Sequence, residues 1–70
     1  MEPWKERIIE EYTQLEERFK KLDDMLVKID AGTLDFTPVC PVDLLREQFY
    51  AMSNYLRILR IRAEIEGIEL

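Results

Sequence analysis

The sequence predicts an all-α protein, an antiparallel two-helix hairpin that oligomerises into a four-helix bundle or a larger helical assembly. Three observations predict it. Two apolar stripes with unbroken four-three spacing run through the 70 residues. A break at residues 30–41, "DAGTLDFTPVCP", separates them and holds one glycine and two prolines. The second helix also carries a second apolar stripe that a lone hairpin does not bury.

Helix 1 is expected over about residues 3–29. Pro3 suits a first helical position, where the missing N–H would be unpaired in any case. Ile8, Tyr12, Leu15, Phe19, Leu22, Leu26 and Ile29 are spaced 4, 3, 4, 3, 4, 3. That is a heptad stripe, the pattern of one helix laid along another at a shallow angle. Trp4 and Ile9 widen the stripe at its start and Met25 near its end. Away from it, Glu16–Lys20, Glu17–Lys21 and Asp24–Lys28 set an acid four residues before a base, the favourable order.

The break at about 30–41 reads as a loop. Gly32 can take the positive φ of a helix C-terminus. Leu34, Phe36 and Val39 are expected to fold back over the open end of the hairpin, leaving Cys40 a partly buried thiol. Helix 2 is expected over about 42–66, with Pro41 at its first position and Asp43 in its first turn, where a negative charge favours the helix dipole. Gly67 then Ile68 reads as a C-terminal cap with its hydrophobic contact. Leu45, Phe49, Met52, Leu56, Leu59 and Ala63 repeat the spacing of helix 1, so the two helices are expected to pack as antiparallel neighbours. The chain reads as one domain, residues 1–70.

Beside that stripe lies another: Leu44, Ala51, Tyr55, Ile58 and Ile65, with Gln48 and Arg62 in its remaining heptad slots. Monomers rarely expose a contiguous apolar patch of that size. Chains this short are marginal, and disulfides, a metal or partner subunits usually stabilise them. Cys40 is the only cysteine and there is no histidine. An intrachain disulfide is therefore excluded, no metal site is expected, and homo-oligomerisation through the second stripe is the expected stabiliser.

Net charge is −5, from ten basic and fifteen acidic residues. General DNA or RNA binding needs a basic surface, so it is not expected. No apolar run approaches the roughly 20 residues of a membrane span. The start, "MEPWKERIIEEY", lacks the pattern of a signal peptide, and a lone thiol fits a reducing cytoplasm. An enzyme is the least expected class. No histidine is present, Ser53 has no evident base, and Glu10–Glu11, Glu16–Glu17 and Asp23–Asp24 are adjacent pairs pointing about 100° apart on a helix. No cofactor loop is present, since Gly32 and Gly67 stand alone.

The arginines depart from the acidic background. From Leu44 to Ala63 four arginines against Glu47 give +3, which leaves −8 for the rest. Arg46, Tyr50, Ser53, Arg57 and Arg60 follow 4, 3, 4, 3 spacing and share a face, with Asn54 beside it. Two roles fit. Guanidinium forks and a flat ring suit a phosphate-bearing nucleotide. Arginines flanking a bundle also cover it with their stems and pair with glutamates, and Arg60–Glu64 and Arg62–Glu66 offer such pairs. Trp4 has two roles as well: a seal against Ile61, Ile65 or Ile68, or an aromatic shelf for a ligand base beside Lys5 and Arg7.

The residues "WKERIIEEYTQLEERFKKLDDML" and "LLREQFYAMSNYLRILRIRAEIEGI" resemble small accessory proteins of tailed bacteriophages and prophages. The resemblance covers most of the chain and implies a host-takeover or anti-defence role. In architecture the hairpin is also similar to phage sponge proteins, small helical oligomers that sequester cyclic nucleotide or cyclic ADP-ribose immune signals between subunits. That similarity implies non-enzymatic capture of a nucleotide-derived signal in the cytoplasm of an infected bacterium. The arginine face itself makes Arg46, Tyr50, Arg57 and Arg60 the candidate ligand-binding residues, with Trp4 a further candidate. Two other readings stand beside it. One is a protein–protein inhibitor of a host defence enzyme, comparable to an anti-CRISPR protein, using the acidic face of Glu6, Glu10, Glu17 and Asp24. The other is a coiled-coil adaptor without a ligand.

Overall fold

The structure is a computed structural model and describes residues 2–70. Two helices account for most of it: α1, Pro3–Ala31, and α2, Val42–Glu66. They pack on each other as a hairpin, and no strand occurs among the described residues. Helix α1 runs two residues past the expected Ile29, and α2 has the expected bounds.

Neither helix has a side-chain N-cap. Pro3 stands at the first position of α1, and the Glu2 carbonyl accepts from Lys5 N and Glu6 N at 3.0 and 3.2 Å. Pro41 lies one residue before α2 rather than inside it. It offers its carbonyl to Leu44 N and Leu45 N at 3.1 and 3.2 Å. Both C-termini close on a glycine. Gly32 has φ 75°, and the N–H groups of Gly32 and Thr33 donate to Ile29 O and Lys28 O at 3.1 and 2.9 Å. Gly67 has φ 68°, and Ile68 N donates to Ala63 O at 2.8 Å. Both are αL caps of the Schellman kind, which satisfy carbonyls the helix leaves open. The second also turns Ile68 inward, where it is buried with Ile8, Leu59 and Ala63.

The core follows the two predicted stripes. Ile8 and Leu26 are buried from α1, and Leu45, Leu59 and Ala63 from α2. Ile9, Tyr12 and Leu15 pack against the cluster at the chain-terminal end. At mid-hairpin Phe19 stacks on Phe49, centroids 4.7 Å apart and planes 23° off parallel. At the loop end Arg46 of α2 donates to Asp30 of α1, joining the last turn of one helix to the first turn of the other.

Three expectations are corrected. Phe36 and Val39 do not cover the hairpin end. Phe36 is largely exposed and Val39 fully so, and only Leu34 is half-buried. Leu26 and Leu45 are buried without them, and the Asp30–Arg46 pair ties the two helices together at that end. Cys40 is exposed as well. Trp4 does not form the expected seal. Trp4 is 42% exposed and lies outside the cluster of Ile8, Leu59, Ala63 and Ile68, while Ile61 and Ile65 are themselves exposed.

The hairpin measures 44 × 18 × 16 Å with a radius of gyration of 14.9 Å. A compact domain of this length has a radius near 11 Å. Its accessible surface is 5537 Å², against roughly 4,600 Å² for a folded monomer of this mass. Only six hydrophobic side chains are buried among the described residues. No helix among them is long and apolar enough to cross a membrane.

Candidate functional site

Two surfaces flank the buried row of α2. At about 100° per residue, Arg60, Ser53, Arg46, Arg57 and Tyr50 fall on one side of Leu45, Leu59 and Ala63. Leu44, Ala51, Tyr55, Ile58 and Ile65 fall on the other. The contacts across to α1 confirm the division. Tyr55 Oη donates to Glu11 on one flank, whereas Arg60 borders Tyr12 on the opposite flank.

On the arginine flank the two helices enclose an open groove of about 710 Å³, within the range of small-molecule sites. One wall is α2, with Tyr50, Ser53, Asn54, Arg57 and Arg60. The other is α1, with Tyr12, Glu16, Lys20 and Asp23, and Phe19 and Leu56 make the floor. The aromatic stack fixes the middle of the groove, because Phe49, held by Phe19, meets the Tyr50 ring edge-on at 5.6 Å. Tyr50 is thereby braced from below while most of its surface stays exposed.

The arginines divide by partner. Arg46 is committed to Asp30; the bond raises the guanidinium pKa and holds the Asp30 carboxyl below its ordinary value. It lies in a smaller hollow with Tyr50 and Phe49, beyond the end of the groove. Arg62 pairs with Glu66 at 3.5 Å on the far flank. Arg57 and Arg60 make no ion pair or hydrogen bond among the described residues, and the Arg60–Glu64 pair open to the sequence does not form. Two unpaired guanidinium groups one turn apart therefore face the same groove. Trp4 lies elsewhere, near the start of α1, with Nε1 donating to Glu2 at 2.6 Å and Lys5 Nζ 5.4 Å from its ring centroid.

The α1 wall escaped the sequence reading. Glu16–Lys20 forms as expected at 3.5 Å, but Glu16 is half-buried at the groove and does not sit on the far solvated face. Tyr12 Oη donates to it at 2.9 Å, and this bond, followed by burial, raises the tyrosine pKa. Tyr12, Glu16, Lys20 and Asp23 follow one helix flank at spacings 4, 4, 3, the signal that was available. Glu17–Lys21 also forms, at 3.5 Å on an exposed face, and Asp24–Lys28 is not among the ion pairs of the described residues. No group of residues suited to hold a metal occurs among the described residues.

The five residues of the second stripe are all exposed, Ile65 to 79% and Leu44 to 53%. Ile61, 48% exposed, extends the apolar surface.

The structure is a helical hairpin with an unpaired arginine pair in an inter-helix groove and an uncovered apolar flank. The chain belongs to the Sequestin family, whose sequence model matches residues 2–65. No curated protein and no solved structure matches it.

Proposed function

We propose that this protein captures a phosphate-bearing nucleotide signal stoichiometrically and without turnover, a cyclic nucleotide or cyclic ADP-ribose isomer of bacterial immunity. The observation that carries the reading is the pair Arg57 and Arg60, unpaired and side by side with the braced Tyr50 ring. Phosphate oxygens suit them, because arginine presents a planar fork of donors and stays charged. Tyr50 offers a flat surface for a base. The family name fits a sequestering role, and the resemblance to phage accessory and sponge proteins supplies the setting, the cytoplasm of an infected bacterium. Without turnover, potency depends on affinity and on the number of copies, and a 70-residue chain suits such a role.

The second stripe takes a second copy of the chain. The surface excess over a folded monomer is roughly 900 Å², close to the roughly 800 Å² each partner buries in a standard interface. Pairing through the stripe would cover Leu44, Ala51, Tyr55, Ile58 and Ile65 and leave the groove, on the other flank, open. The groove is bounded by both helices of one hairpin. Capture within each protomer, one ligand per chain, is therefore favoured over the inter-subunit pocket of the sequence reading.

The test is Arg57→Glu. The variant should keep its helicity and oligomeric state and lose capture, because a carboxylate replaces one phosphate donor and repels the ligand. Tight capture by the folded variant would remove the assignment. A blocker of a host protein is the second reading, favoured by the exposed Phe36 and Val39 at the loop tip. Recovery of one host enzyme in stoichiometric amount, lost on Phe36→Ser, would support it instead.

A further inference from the structure

The groove carries Glu16, Lys20 and Asp23 on its α1 wall and Arg57 and Arg60 on its α2 wall, and no ion pair among the described residues joins either carboxylate to either arginine. Glu16 is held on two sides, accepting from Tyr12 Oη at 2.9 Å and pairing with Lys20 Nζ at 3.5 Å. Its side chain remains 40% exposed, and a carboxylate has about four acceptor sites. Capacity therefore remains for a donor in the groove. Asp23, half-buried on the same wall, makes no hydrogen bond or ion pair among the described residues. Across from them Arg57 and Arg60 are unpaired.

This segregation constrains the ligand. A bare phosphate or polyphosphate satisfies α2 but places anionic oxygens near two carboxylates, which repel it. Any ligand that strips water from Glu16 and Asp23 must return donors to them, because a desolvated polar group without a partner is costly. The molecule that fits has anionic oxygens on one edge and hydroxyl donors on another, with a flat ring between.

We infer that the captured molecule is a ribonucleotide whose free sugar hydroxyls donate to Glu16 and Asp23 on α1 while its phosphates take Arg57 and Arg60 on α2. This rests on the capture reading and adds what the second wall recognises. Hydroxyl-to-carboxylate bonds are charge-assisted. A site built to bond a hydroxyl rejects the analogue lacking it, since the site's own polar group is then left unpaired. Tyr12 and Lys20 act as positioning residues that keep Glu16 pointed into the groove.

The experiment titrates the full-length protein with ADP and with 2′,3′-dideoxy-ADP, probes that differ only in the two hydroxyls, followed by amide NMR shifts. ADP should bind on the order of tenfold more tightly and perturb Glu16 and Asp23 as well as Arg57 and Arg60. Glu16→Gln and Asp23→Asn should each cut ADP affinity and narrow its advantage over the dideoxy compound, while dideoxy binding is unchanged or improved as repulsion falls. Tyr12→Phe should narrow the advantage less. Equal affinities of the two compounds for the wild-type chain would overturn the hydroxyl assignment and leave phosphate capture standing. Absence of binding by both, at millimolar nucleotide, would overturn the hydroxyl assignment, while capture of a cyclic signal is tested separately by Arg57→Glu.

Discussion

At the scale of single residues, spacing was legible and partnership was not. Arg46, Arg57 and Arg60 share a face by sequence, but their roles differ because of what α1 brings opposite them. Asp30 takes Arg46, and no carboxylate takes Arg57 or Arg60. A single-helix pattern carries no record of the neighbouring helix, so by sequence alone Tyr12 belongs to the apolar stripe and Glu16 and Asp23 to a solvated face. The charge-reversal variant Arg57→Glu belongs at this scale, with lost capture and retained circular dichroism as its expected result. A second prediction concerns Asp30, whose folded-state pKa lies below its ordinary value chiefly through the Arg46 bond. Stability from a depressed carboxylate is fully present above the unfolded pKa and is lost as pH falls through the folded one. Denaturant titrations between about pH 5 and pH 2 should therefore show a shallower acid loss for Asp30→Asn than for wild type. Identical acid limbs would mean the pair contributes nothing measurable, as many exposed ion pairs do.

At the scale of elements, the helices follow from periodicity and the caps from glycine. Gly32 and Gly67 both take positive φ, and no side chain lies within 4 Å of a Cβ built at either position. Replacement by alanine therefore costs backbone strain alone, about 1 kcal/mol. For a domain this small that is a fall of about 4–8 °C in melting temperature. Gly67→Ala should cost more than Gly32→Ala, because its cap also delivers Ile68 to the core. Thermal unfolding by circular dichroism checks both, and an unchanged midpoint for Gly67→Ala would show that Ile68 packs without the cap. The loop was the poorly legible element. Alternating Leu34, Phe36 and Val39 suggested a lid, but alternation says only that residues face opposite ways. Whether any apolar surface remains to be covered depends on Leu26, Leu45 and the Asp30–Arg46 pair, a tertiary fact.

For the whole molecule, the second stripe was legible as a surplus, and the structure locates it on the flank opposite the groove. Ile58→Glu places a charge at the centre of the stripe, without disturbing the buried row. It should convert the oligomer to monomer in sedimentation velocity, with helicity lowered because the hairpin alone is marginal. An unchanged sedimentation coefficient would assign the stripe to another partner. Separation of the two flanks also predicts that residual folded Ile58→Glu still captures ligand. The most direct test of capture is native mass spectrometry of the protein mixed with cyclic nucleotides and cyclic ADP-ribose isomers. The account predicts an oligomer carrying one copy of a single ligand per chain, with that added mass absent in Arg57→Glu. An oligomer that stays empty across the panel would contradict it.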